Sequence, residues 1–118
     1  MITMYGIKNC DSIKKARNWL DNERFSYNFH DYKVSGIDDA TLRRWVGEHG
    51  WETILNRSGT TFRALDSGDK AHIDADKAIF LMITNPSMIK RPILDTGRET
   101  IVGFKASTYE AAMAGVKA

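Results

Sequence analysis

The chain lacks most of what would mark a secreted, membrane-bound or metal-built protein. Its 118 residues include one cysteine, Cys10, which excludes an internal disulfide and any disulfide-framed scaffold. Three histidines, His30, His49 and His72, stand scattered without ligand spacing. No metal site is expected from them, because a structural zinc needs a close tetrahedral set. Only two prolines occur, Pro86 and Pro92, both in the final third, and no Pro-rich or repetitive segment is present. The longest apolar run, Ala78–Ile83, is six residues, far short of the ~18 a membrane helix needs. Charge of one sign is also lacking: 17 basic residues face 15 acidic ones, a net charge of +2. Direct nucleic-acid binding is not expected from so balanced a chain. Met1–Tyr5 has no basic stretch leading into an apolar region, so no signal peptide is expected. These absences point to a soluble monomer in the reducing cytoplasm, with no membrane partner.

What remains is an ordinary globular composition, 42% hydrophobic and 27% charged. One domain over residues 1–118 is expected, with a helical insertion at about 36–86. Ile2–Ile7 reads as a short strand. Ile13, Ala16 and Leu20 then fall at helical spacing, with Asp11 or Ser12 as the cap and Asn22–Arg24 as the end. Phe25, Tyr27, Phe29 and Asp31-Tyr32 alternate with polar residues and read as a second strand. Strand, helix and strand within about thirty residues is the size of a unit with parallel strands. Asp38 or Asp39 is placed to cap a helix through Leu42, Trp45 and Val46. Trp51–Leu55 reads as a further helical turn and Asn56–Thr61 as a polar loop. Asp74 caps a helix through Ala78, Ile79, Met82 and Ile83 that stops before Asn85-Pro86. Pro92-Ile93-Leu94 and Glu99–Val102 read as two strands joined by a turn at Asp95–Arg98. Tyr109, Ala112, Met113 and Val116 give a closing helix. The order predicts an α/β, thioredoxin-like fold. Its mixed four-stranded sheet is built β-α-β then β-β-α, with the helical insertion between strands 2 and 3.

Cys10 is the first candidate for chemistry. It stands after a strand and before a helix, where free N–H groups and the helix dipole favour a thiolate. Lys8, Lys14 and Lys15 add positive charge, and Asp11 opposes it. The competing reading is a buried, inert thiol. Ile13 stands where a Cys-x-x-Cys motif would carry its second cysteine. Any mixed disulfide on Cys10 therefore needs an external thiol or a second protein to resolve it. Lys90-Arg91-Pro92 is the second constellation: a proline opening a strand has no N–H for the ladder and is the residue type that adopts a cis bond. Arg57, in the polar loop, is the third candidate, against the bland reading of a solvated surface arginine.

Tyr5-Gly6-Ile7-Lys8-Asn9-Cys10-Asp11-Ser12-Ile13-Lys14-Lys15-Ala16, Leu55-Asn56-Arg57-Ser58-Gly59, Asn85-Pro86, Ile89-Lys90-Arg91-Pro92-Ile93 and Val102-Gly103-Phe104 resemble the arsenate reductase C/Spx family. Its branch of small YffB-type proteins is the nearest. The resemblance runs from Met1 to about Tyr109. It implies a thioredoxin-like fold with a helical insertion and a redox-active Cys10. It makes Arg57 and Arg91 anion-binding arginines and Pro92 a cis-proline facing the cysteine. Lys8, Asn9 and Pro92 would contact the substrate. No bound cofactor is implied; glutathione would be the co-substrate, with an anionic or disulfide substrate as partner. Arginine offers such an anion a planar multi-donor fork, and a cation beside a thiol lowers its pKa. Two positions depart from the arsenate reductases: Gly6 stands where they carry a histidine, and Phe104, beside Lys105, where they carry a third arginine. The parts that remain fit a glutathione-dependent monothiol reductase. The alternative is a non-catalytic Spx-like regulator binding the RNA polymerase α subunit, although Ile13 removes the usual Cys-x-x-Cys switch.

Overall fold

A computed structural model describes residues 1–8 and 10–116. The elements run β1 (Thr3–Gly6), α1 (Asp11–Asn22), β2 (Asn28–Asp31), α2 (Tyr32–Ser35), α3 (Asp39–His49), α4 (Trp51–Ile54), α5 (Thr60–Arg63), α6 (Ser67–Lys70), α7 (Ala75–Thr84), β3 (Ile93–Asp95), β4 (Thr100–Val102) and α8 (Ala106–Met113). A short 3-10 turn, Pro86–Met88, follows α7. The chain divides into two compact units, one formed by Met1–Ser35 with the segment from Arg91 onward, the other by Gly36–Lys90.

The first unit holds the sheet, in the order β2-β1-β3-β4. β1 runs parallel to β2 and antiparallel to β3, which pairs antiparallel with β4. This is the mixed thioredoxin-like sheet that the element order predicts. The register aligns Met4 with Phe29 and Leu94, and Leu94 with Ile101. Because strand side chains alternate between faces, these residues share one side. They pack against Ile13, Ala16 and Leu20 of α1 and Tyr109 and Met113 of α8 to form the core. The 3.6-residue period of α1 therefore points one stripe inward. α1 ends where Arg24 takes a left-handed backbone, φ 61°, and the Phe25 N–H returns to the Leu20 carbonyl at 2.9 Å. The β3–β4 turn uses Gly97 at φ 88°, its N–H donating to Asp95 Oδ1 at 2.8 Å.

The second unit is the helical insertion between β2 and β3. Asp38 caps α3 by accepting from the Thr41 N–H at 2.8 Å, and Asp74 caps α7 by accepting from the Lys77 N–H at 2.8 Å. Leu42, Trp45, Ile54, Ala78, Ile79, Leu81 and Met82 are buried. A single antiparallel bridge joins Leu55 to Ile89. It is flanked by bonds from Asn56 N–H to the Met88 carbonyl (2.7 Å) and from Lys90 N–H to the Ile54 carbonyl (2.9 Å).

Three expectations are corrected. The second strand is shorter than its alternation suggests: Phe25 and Tyr27 pack against the core without joining the ladder, and Tyr32 opens a helix. The cap of α1 is Cys10 itself, not Asp11 or Ser12. The polar segment 56–61 is not all loop, because Thr60 and Thr61 begin the turn α5.

Candidate active site around Cys10

β1 ends at Gly6 and α1 begins at Asp11, so the intervening turn carries Cys10 to the open end of a helix. Its backbone is extended, φ −104° and ψ 135°, and its carbonyl accepts the first intrahelical bond, from Lys14 N–H at 3.0 Å. The thiol makes no conventional side-chain cap, as expected of a weak sulfur acceptor. The N–H groups of Ile13 and Ser12 nevertheless favour a charge on the sulfur. Burial pushes the thiol pKa up. The Ile13 N–H, a hydrogen bond from the Arg91 guanidinium, the Ser12 N–H and the charge of Arg91 outweigh it, and the net shift is downward. Cys10 is half-buried, so its sulfur remains reachable.

Arg91 comes from the other end of the unit, immediately before β3. The Arg91–Pro92 peptide is cis, Pro92 is buried, and its carbonyl accepts from the Gly103 N–H at 2.8 Å. Burial tends to lower the guanidinium pKa, but hydrogen bonds to Cys10 and Tyr32 raise it, so the group keeps its charge. Tyr32 is fully buried. Burial pushes its phenol up, only partly offset by Arg91, so it stays neutral.

Of the other candidates, Lys8 is exposed, and Asn9 lies outside the described residues. Arg57 belongs to the second unit, exposed, with its guanidinium 5.5 Å from the Trp51 ring centroid. Its loop is fixed by Asn56, whose Oδ1 accepts from the Ser58 N–H (3.2 Å) and hydroxyl (2.9 Å). Among the described residues no cluster of His, Cys, Asp or Glu could hold a metal ion, and no helix is long and apolar enough to cross a membrane.

Both departures from the arsenate reductase pattern have a packing cause. A Cβ on buried Gly6 would overlap Ile13 Cδ1 and lie 3.1 Å from Ile13 Cγ1. Gly6 and Ile13 are thus one packing choice, a bare backbone filled by the side chain from α1. Phe104 meets Tyr109 edge-on, with ring centroids 4.8 Å apart, and lines an open cleft of about 390 Å³ with Val102, Gly103, Lys105 and Thr108.

Sequence reasoning missed Tyr32, taking it for the end of a strand. The available signal was Asp31, whose Oδ1 accepts from the N–H groups of Lys33 (3.0 Å) and Val34 (3.3 Å) in the manner of a helix cap.

Comparison with known proteins bears on the fold and the family. The solved structure called YFFB (PA3664) protein is 59% identical, with a TM-score of 0.93 over 95% of this chain and 98% of that one. An arsenate reductase (ArsC) related protein from Brucella melitensis is 50% identical, with a TM-score of 0.74 over 93% and 92% of the two chains. The global transcriptional regulator Spx of Streptococcus mutans is 27% identical over 94% of this chain and 82% of its own length. Residues 5–112 match the ArsC family, and with its thioredoxin-like sheet and helical insertion the chain belongs to that family.

Proposed function

We propose that the protein is a monothiol reductase that uses glutathione as co-substrate, with Cys10 as the nucleophile. The observation that carries this reading is the half-buried thiol of Cys10, lowered by the Ile13 N–H, the Arg91 guanidinium and the Ser12 N–H. The thiolate attacks the glutathione-bearing sulfur of a mixed disulfide. A sulfur–sulfur bond forms on Cys10, and the substrate leaves as a thiolate. Glutathione thiolate then attacks that bond, releasing oxidised glutathione and restoring the Cys10 thiolate. The incoming glutathione thiol is oxidised as it joins the glutathionyl group taken from the substrate, giving one oxidised glutathione, and the substrate's mixed disulfide is reduced to its thiol. Ile13 in place of a second cysteine fits a cycle resolved from outside. Arg91 holds the thiolate and offers its fork to an anionic group. On the strength of the family resemblance, Arg57 is a further anion-binding candidate, and Lys8, Asn9 and Pro92 are substrate-binding candidates. Arsenate is a poorer fit, because Gly6 leaves no room for a side chain and Phe104 is packed on Tyr109.

The test is turnover of a glutathionylated peptide with reduced glutathione, coupled to glutathione reductase, with mass spectrometry of the adduct. Turnover and an adduct on Cys10, both absent in Cys10→Ser, are expected. Turnover no faster than Cys10→Ser would overturn the proposal.

A second reading rests on the likeness to the Spx regulator. It has the chain binding the C-terminal domain of the RNA polymerase α subunit without catalysis. A pull-down with that domain at tens of micromolar decides it: retention supports the regulator, and no complex removes it.

A further inference from the structure

We propose that Tyr32 is a positioning residue for the reaction at Cys10, its buried hydroxyl holding the Arg91 guanidinium against the sulfur. The inference rests on the reading of Cys10 as the nucleophile. Three parts of the first unit meet here: the start of α1, the start of α2 and the residue before β3. Asp31 starts α2 by accepting from Lys33 and Val34, and Tyr32, the first residue of that helix, is fully buried. A buried phenol usually finds a hydrogen-bond partner. The Tyr109 hydroxyl is buried without one among the described residues, whereas the Tyr32 hydroxyl has Arg91, which also bonds Cys10. The guanidinium has five N–H donors in a rigid fork, so one group serves both. Arg91 thereby gains two fixed points, one on the core and one on the sulfur.

The chemistry of the anchor matters as much as its place. A carboxylate there would hold Arg91 equally well but would cancel the charge that favours the thiolate. A phenol accepts the N–H and remains neutral. The titratable and charged groups felt at this point are Cys10, Arg91, Tyr32 and, at the end of β2, Asp31, which also disfavours an ionised phenol. The guanidinium charge is therefore left for Cys10 and for an incoming anion. This predicts a charge preference in the reagent that meets the sulfur, set by a residue that does not itself touch it.

The experiment uses alkylation of Cys10, which needs neither glutathione nor turnover. Wild type, Tyr32→Phe, Arg91→Met and the double variant are alkylated with neutral iodoacetamide and anionic iodoacetate across pH. In Tyr32→Phe the midpoint is expected to move up, the rate near neutral pH to fall several-fold, and the relative reactivity of iodoacetate to drop. In the Arg91→Met background the same change should have no further effect. An unchanged midpoint in Tyr32→Phe, or an equal shift with Arg91 already gone, would overturn the proposal. Arg91→Lys gives a reading that leaves the buried phenol intact. It keeps the charge but not the fork, so its midpoint should also lie above wild type, and an unchanged midpoint would count against positioning. A wild-type midpoint at the ordinary thiol value would instead refute the reading of Cys10, so the two failures are distinguishable.

Discussion

Gly6→Ala tests whether Gly6 and Ile13 are one packing unit. The added Cβ would overlap Ile13 Cδ1 and press on Ile13 Cγ1 at 3.1 Å. Ile13 is 1% exposed and sits in the core with Met4, Ala16 and Leu20, so its terminal methyl has little room to swing away. Overpacking of this kind costs roughly 1–3 kcal/mol. Unfolding entropy near 2.1 cal/mol/K per residue gives about 250 cal/mol/K for a chain of this length. The expected fall in Tm is therefore roughly 4–12 °C by calorimetry. Ile13→Val removes the overlapping methyl and by itself costs roughly 0.5–1.5 kcal/mol. The double variant should then be more stable than the sum of the single effects predicts, since the two residues are in contact. A melting temperature for Gly6→Ala within a degree or so of wild type, or strict additivity in the double variant, would refute the packing argument.

Other consequences follow from the same structure. Arg91→Met removes the guanidinium from Cys10 and leaves burial opposed only by the Ile13 and Ser12 N–H groups; its alkylation midpoint should lie above wild type, measured by rate against pH. Asp74→Ala removes the cap that accepts from Lys77 N–H and should cost about 1 kcal/mol, or about 4 °C in Tm. The lowered thiol also makes stability depend on pH. The unfolded chain holds the Cys10 proton up to the ordinary thiol value, while the folded chain releases it earlier. Denaturant midpoints should therefore rise with pH between the two, and this rise should be missing in Cys10→Ser.

The elements most legible in the sequence were those whose signals are local. Asp38 and Asp74 announce α3 and α7 because a short acidic side chain satisfies orphan N–H groups on the spot. Asn85-Pro86 ends α7 for an equally local reason. Ile13, Ala16 and Leu20 mark the buried stripe of α1 by period alone. The failures came where tertiary packing decides. Phe25 and Tyr27 continue an alternating pattern beyond the strand, because they cover the core edge without entering the ladder. α5 and α6 are single turns, too short for periodicity to register against the cost of starting a helix. At the candidate site, Cys10 was visible from its place between strand and helix. The meeting of Arg91 with Cys10 was available only through the family resemblance, since nothing local links residues so far apart in the chain. Tyr32 was lost because it was counted with the strand, although Asp31, the last residue of β2, caps the turn that Tyr32 opens.

The central claim is that Cys10 is an activated thiolate at neutral pH, and its rate of alkylation against pH in the native protein tests that claim most directly. With one cysteine in the chain, every adduct reports on this sulfur. The account predicts a midpoint below the unperturbed value of ~8.5, rising when Arg91 is replaced. A midpoint at or above that value, or no reaction until the protein unfolds, would contradict it.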